Sequence, residues 1–214
     1  MIDFSNIKNI YFMGIGGTGM SSVAGLCYSK GFNISGSDKA LYPPTSLLLE
    51  ELKTPVYIPY DKNNLIKANP DLVVVGNALS RGNPEVEYML EKHLNYCSFP
   101  QLLGEMFLKR SLSIVVAGTH GKTTTSSLLA HVLDVLEEQP GFFIGGVPKN
   151  FTKNYAIGSG KWFVVEGDEY DTAFFDKEAK FLHYFPDFLV LNNVEFDHAD
   201  IYQNVEQIEN QFIK

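Results

Sequence analysis

Short apolar runs alternate with amphipathic or small-residue stretches along most of the chain. Residues 10–13 are apolar and stop at Gly14, and a small-residue helical segment over 20–30 follows. Residues 32–35 read as a second strand, 46–52 as a helix and 56–58 as a third strand. Residues 72–75 form a continuous run rich in valine, the pattern of a strand covered on both faces. Asn83 followed by Pro84 predicts a helix start, with asparagine as cap and proline in the first turn, where its missing N–H is harmless. Residues 99–110 read as an amphipathic helix. A second strand at 114–117 then leads through a glycine-rich turn into a helix over 123–137. Further strands are expected at 162–165, 181–184 and 189–192, and a last helix at 205–214 has no Gly or Pro stop. Such alternation predicts right-handed βαβ units around parallel sheets, an α/β protein.

The second strand–glycine–helix start lies about 100 residues after the first, a spacing of one small domain. It predicts a Rossmann-like domain over residues 1–108 and a second, P-loop-type α/β domain, incomplete, over 109–214. The 214 residues are 45% hydrophobic and 20% charged, which excludes a disordered or collagen-like chain. No apolar run reaches the roughly 18 residues of a membrane span, and no basic-then-apolar leader opens the sequence. Cys27 and Cys97 both sit in apolar contexts and read as reduced core thiols. The net charge of −8 argues against duplex nucleic acid as a partner, since such binding needs a basic face. A cytoplasmic, soluble chain is the expectation.

Gly14-Ile15-Gly16-Gly17-Thr18-Gly19 follows a strand and opens a helix. Glycines there let backbone N–H groups approach a diphosphate at the positive end of the helix. Asp38, 24 residues after Gly14, stands at the end of the second strand, where a ribose-binding carboxylate belongs. The loop predicts a diphosphate-containing ligand, and NAD, FAD and a UDP-sugar all satisfy it. A dinucleotide oxidoreductase would explain this loop and Asp38 but would leave the second glycine loop without a role.

That second loop is Gly118-Thr119-His120-Gly121-Lys122-Thr123-Thr124-Thr125. It is shorter than the usual G-x-x-x-x-G-K-(S/T), yet the chemistry transfers. Backbone amides can cradle phosphate oxygens, Lys122 can reach the outer phosphates, and the Thr123 hydroxyl can join a Mg²⁺ shell. Downstream, Glu166-Gly167-Asp168-Glu169-Tyr170-Asp171 places four acids within six residues after a strand. They repel one another unless a cation compensates, and a divalent metal is a natural compensator. His198 follows another buried strand and lies among acids, which suggests a metal or phosphate role, although Mg²⁺ prefers oxygen ligands.

Together these blocks resemble the Mur ligase family, ATP-dependent ligases that add amino acids to UDP-linked muramic acid. The family pattern is G-T-(H/N)-G-K-T, an acidic block after the next strand, and N-x-x-x-D-H-x-D. Here it stands at 118–123, 166–169 and 193–200. His120, the Gly14–Gly19 loop and Ser35-Gly36-Ser37-Asp38 resemble the branch that acts on UDP-N-acetylmuramate. Within that branch, residues 77–87, 140–148 and 168–177 resemble the members that attach a recycled tripeptide more than those that attach L-alanine. The resemblance implies three domains, of which these residues would supply the first and part of the second. With that third domain absent, the alternative is a nucleotide-binding module without turnover.

The resemblance also implies roles. The lactyl carboxylate of UDP-N-acetylmuramate would attack the γ-phosphate of ATP to give an acyl phosphate, and the L-alanine amine of the murein tripeptide would then displace phosphate. Gly118, Thr119, His120, Gly121, Lys122, Thr123 and Thr124 would bind ATP. Thr123, Glu166 and His198 would hold Mg²⁺. Glu169 would take the amine's proton. Gly14, Gly16, Gly17, Thr18, Gly19, Met20, Ser21, Ser37, Asp38, Asn77 and Ser80 would contact the UDP moiety.

Overall fold

A computed structural model describes residues 4–195 and 204–214. The chain divides into two compact units, Met1–Leu102 with Ala173–Phe175, and Leu103–Thr172 with Asp176–Lys214. No helix among the described residues is long and apolar enough to cross a membrane.

The first unit runs β1 (Asn9–Met13), α1 (Thr18–Ser29), β2 (Asn33–Ser37), α2 (Thr45–Glu51), β3 (Val56–Tyr57), α3 (Lys62–Ala68), β4 (Leu72–Val75), α4 (Pro84–Glu91) and β5 (Tyr96–Ser98), and α5 (Phe99–Met106) begins within it. Its sheet is wholly parallel in the order β3-β2-β1-β4-β5. The order reverses beside β1, and a crevice opens at the carboxyl ends of strands at such a reversal. Every residue of β4 is buried, as its uninterrupted apolar sequence requires. Asn83 caps α4 as expected, its side chain accepting the Glu85 and Val86 N–H groups. Two elements go beyond the sequence reading. The first, α3, is capped by the Asp61 side chain and stopped by Asn69 at φ +44°. The second, β5, is only three residues long and follows a turn. Phe174 and Phe175 also belong to this unit, packed against the cluster around Tyr11, Met13, Val73 and Val75.

The second unit contains β6 (Leu112–Ala117), α6 (Lys122–Val135), β7 (Gly141–Phe143), β8 (Tyr155–Ala156), β9 (Trp162–Gly167), β10 (Asp171–Ala173, its last residue in the first unit), β11 (Asp176–Ala179), β12 (Phe188–Leu191) and α7 (Val205–Ile213). Its main sheet has the order β12-β6-β9-β7-β8, parallel except for β8, which runs against β7. β10 and β11 form a separate two-stranded ribbon.

One expectation is corrected. Residues 181–184 are not a strand, because a 3₁₀ turn spans Lys180–His183. Phe181 and Tyr184, three apart, are both buried, and the Tyr184 N–H bonds to the Phe181 carbonyl at 3.0 Å. Burial at period three fits a 3₁₀ turn and conflicts with strand alternation.

Gly36 in β2 shows how tightly the first sheet is built. A Cβ there would lie 2.4 Å from the Phe12 carbonyl oxygen and 2.8 Å from the Ile15 side chain. Gly36→Ala should therefore destabilise the chain by about 1–3 kcal/mol, the usual cost of overpacking. Urea unfolding followed by fluorescence measures it, and a variant with the wild-type midpoint would contradict this account of the β1–β2 contact.

Candidate functional site

In the first unit the glycine loop hangs from the end of β2. The Ser37 carbonyl accepts the N–H groups of Gly14 at 2.8 Å and Ile15 at 3.0 Å, and the Gly17 N–H returns to the Gly14 carbonyl at 3.1 Å. Asp38 accepts the Gly16 N–H at 2.7 Å. The loop borders a cleft of about 630 Å³. Of the residues expected to contact a UDP moiety, Gly14, Gly16, Gly17, Thr18, Met20, Asp38 and Asn77 line this cleft. Gly19 lies in the first turn of α1 and Ser80 in the turn before α4, and neither lines it. Ser21 is buried, its hydroxyl donating to the Thr18 carbonyl at 3.0 Å. Ser37 is also buried, so it serves the loop through its carbonyl while its hydroxyl turns away to Glu85. Tyr60 lines the cleft too, from a segment the sequence reading did not single out.

In the second unit, parallel pairing brings the chemistry together. Val116 stands opposite Glu166, Ala117 opposite Gly167, and Leu191 opposite Ala117. Residues just past β6, β9 and β12 therefore emerge at one edge. Gly118 has φ +122°, and a Cβ there would lie 2.6 Å from the Asn193 carbonyl oxygen. Gly121, at φ +80°, caps α6. From the far side Asn193 accepts the Thr119 N–H on its carbonyl (3.0 Å) and the His120 N–H on its side chain (2.8 Å). The Asn192 amide donates to the His120 carbonyl and to the Thr125 hydroxyl. The two asparagines clamp the loop and were not named as site residues. A strand ending in Asn-Asn beside a glycine loop was the available signal.

The carboxylates meet this loop directly. Lys122 Nζ donates to both Glu169 oxygens, at 3.0 and 3.3 Å, and to the Gly118 carbonyl at 2.7 Å. The Lys122 and Glu169 side chains are only 11% and 4% exposed. Glu166 accepts the Thr123 hydroxyl at 3.2 Å on one oxygen and the Gly145 N–H at 2.9 Å on the other. Asp168 pairs with Lys180 at 3.1 Å. Burial pushes the Glu166 carboxyl above its usual range, the Gly145 N–H opposes the shift, the Asp168 charge adds to it, and Thr123 and Lys122 oppose it further. Burial, then the charges of Asp168 and Glu166, keep the Tyr184 hydroxyl protonated. Thr123 and Thr124 also border a second cleft of about 540 Å³, reached by His131 and Lys149.

Two hard oxygens, from Thr123 and Glu166, thus converge at the start of α6. That fits Mg²⁺, which takes few protein ligands alongside phosphate and water. His198, the third expected ligand, lies outside the described residues. Among the described residues no group of three His, Cys, Asp or Glu side chains is arranged as a metal centre.

A sheet edge bearing such a loop beside an acidic block, in a chain that also carries a Rossmann-like unit, defines an α/β protein of two units, and the chain belongs to the Mur ligase family. Residues 9–110 match the family's catalytic domain and residues 116–214 its middle domain. The chain is 47% identical over 206 residues to UDP-N-acetylmuramate--L-alanyl-gamma-D-glutamyl-meso-2,6-diaminoheptandioate ligase of Haemophilus influenzae, covering 96% of this chain and 45% of that protein. It is 35% identical to UDP-N-acetylmuramate--L-alanine ligase of Dictyoglomus turgidum, covering 98% of this chain and 43% of that one. The crystal structure of UDP-N-acetylmuramate:L-alanyl-gamma-D-glutamyl-meso-diaminopimelate ligase from Neisseria meningitides superposes with a TM-score of 0.92 at 46% identity, covering 96% of this chain and 66% of that one. The chain spans about half the length of the curated relatives it matches.

The raised Glu166 carboxyl has a measurable consequence. A carboxyl raised by folding contributes stability below the ordinary value of 4.5 and loses it as pH climbs through the folded value. The ionised side chain therefore costs the fold at neutral pH. Glu166→Gln, which keeps the bond from Gly145, should unfold at or above the wild-type temperature at neutral pH, with the gap closing toward pH 4.5. A glutamine variant that is less stable at neutral pH, by a margin that grows with pH, would contradict the burial argument.

Proposed function

We propose that the chain forms the nucleotide-binding part of a cytoplasmic ATP-dependent ligase that joins L-alanyl-γ-D-glutamyl-meso-diaminopimelate to UDP-N-acetylmuramate. The observation that carries this reading is the convergence of Lys122, Thr123, Glu166 and Glu169 at one strand edge. The names of the relatives at 46–47% identity supply the substrates. The L-alanine ligase reading rests on a relative with a lower identity of 35%.

On this reading the first turn of α6 meets the ATP phosphates with the N–H groups that any helix leaves free at its start. Gly118, Thr119, His120, Gly121 and Thr124 shape the loop around them, and Lys122 neutralises the outer oxygens. Thr123, Glu166 and His198 would hold Mg²⁺, which would supply charge neutralisation at the phosphates. The γ-phosphoryl group would pass to the lactyl carboxylate with ADP leaving, and the tripeptide's amine would then attack the acyl carbon, expel phosphate and give up a proton to form the amide. Positioning and charge compensation supply the main contribution of these residues. Glu169 holds Lys122 in place, and it would have to release the lysine before accepting a proton from the amine. In the first unit Gly14, Gly16, Gly17, Thr18, Met20, Asp38 and Asn77 contact the UDP moiety, with Gly19, Ser21, Ser37 and Ser80 shaping the loop and turn behind them.

Two measurements test the two halves separately. At Gly17 a Cβ meets nothing closer than the Gly14 carbonyl oxygen at 3.5 Å, and the backbone is extended at φ −69°, ψ 141°. A Cβ is thus compatible with the backbone there, at the mouth of the cleft. Gly17→Val should still fold, with a modest loss of stability because valine is a poor N-cap for α1, and should weaken UDP-N-acetylmuramate binding by roughly tenfold or more in calorimetry, a loss of about 1.4 kcal/mol. Equal affinity would remove the first unit from the UDP assignment.

Lys122→Ala removes a charge-assisted contact to phosphate worth about 1.5–3 kcal/mol. It should weaken ATP binding in the presence of Mg²⁺ by roughly tenfold to a hundredfold. Undiminished ATP binding would refute the phosphate role of the loop.

A further inference from the structure

Glu85 lies in the first turn of α4 and is fully buried. Four uncharged donors converge on its two oxygens. Oε1 accepts the Asn64 amide at 2.8 Å, the Asp61 N–H at 3.1 Å and the Tyr11 hydroxyl at 3.2 Å, while Oε2 accepts the Ser37 hydroxyl at 2.5 Å. The carboxylate thus joins β1, the end of β2 and the start of α3 to α4. Removing a carboxylate from water is costly, and these four donors offset that cost, because an apolar side chain in its place would leave them without this acceptor. Satisfying them is a structural reason for a glutamate here, to which a functional one can be added.

The geometry of the loop supplies one. Ser37 is gripped by Glu85 through its hydroxyl and carries the Gly14 and Ile15 N–H groups on its carbonyl. The adjacent Asp38 carries the Gly16 N–H. Every one of these three loop amides depends on residues 37 and 38, and Ser37 is fixed by Glu85. The same carboxylate fixes Asp61 beside Tyr60, which lines the cleft with its hydroxyl 3.5 Å from Asp38 Oδ1.

We propose that Glu85 is a positioning residue of the nucleotide cleft: buried and outside the cleft lining, it sets the separation between the glycine loop and the Tyr60 segment. The proposal rests on the reading that this cleft takes a UDP-bearing ligand. It assigns Glu85 no contact with that ligand.

The test uses amide hydrogen exchange by NMR and calorimetric titration with UDP, on the whole chain. Glu85→Gln keeps the shape but loses the charge and turns one acceptor into a donor, which the Ser37 hydroxyl can meet only by reorienting to accept. Ser37→Ala removes only the link to β2 and serves if the glutamine variant does not fold. Exchange at Gly14, Ile15 and Gly16 should quicken tenfold or more in either variant, while Val73 to Val75 in β4 keep wild-type protection, and UDP affinity should fall tenfold or more. A merely structural glutamate would speed exchange across β4 as well, or lower the melting temperature and leave UDP affinity intact. Either result overturns the proposal, as do wild-type exchange rates at the three loop amides. If wild-type chain fails to bind UDP, the nucleotide reading falls by itself, and the exchange comparison still decides whether Glu85 positions the loop.

Discussion

Carboxylates packed at the end of one buried strand set the terms for the second unit. Glu166 and Glu169 are nearly inaccessible, and Asp168 lies between them. Such groups can share a buried edge only if each finds a cation or a hydrogen-bond donor. Each does: Glu169 finds Lys122, Asp168 finds Lys180, and Glu166 finds the Thr123 hydroxyl and the Gly145 N–H. The arrangement is possible because β6 and β9 run parallel with Val116 opposite Glu166. An antiparallel pairing would send the lysine loop and the acids to opposite edges. Charge balance and strand direction are therefore two aspects of one constraint, and the second glycine loop takes its shape from it.

The first unit solves a related problem with neutral groups. Its glycine loop is held by the Ser37 carbonyl and the Asp38 carboxylate, and the buried Glu85 is satisfied by four uncharged donors. Its cleft is lined by the glycine loop, Asp38, Lys39, Tyr42 and Tyr60, while the Glu85 carboxylate is buried outside that lining. In the second unit the charged side chains of Lys122, Glu166 and Glu169 stand at the glycine loop itself.

Much of this was legible in the sequence where one local rule sufficed. Leu72–Val75 reads as a doubly covered strand and forms one, and Asn83-Pro84 reads as a capped helix start and opens α4. Both glycine loops announce themselves by glycine spacing after an apolar run. What escaped depends on partners distant along the chain. Glu85 looks like an ordinary first-turn acid, since acids are favoured there in any case. Its role follows only from Ser37 and Tyr11, 48 and 74 residues away. Asn192 and Asn193 look like the end of a strand until register puts them behind Gly118. The aromatic run at 181–184 suggests a strand by composition, and its burial at period three shows otherwise.

The central claim is that Lys122, Thr123 and Glu166 form one phosphate-and-metal site at the shared carboxyl edge of β6 and β9. A crystal structure of the chain with Mg²⁺ and a non-hydrolysable ATP analogue tests it most directly. The account predicts the outer phosphates against Lys122 and the first turn of α6, with a metal ion bridging them to Thr123 and Glu166 at about 2.1 Å. Nucleotide bound away from this edge, or a metal that leaves Glu166 untouched, would contradict it.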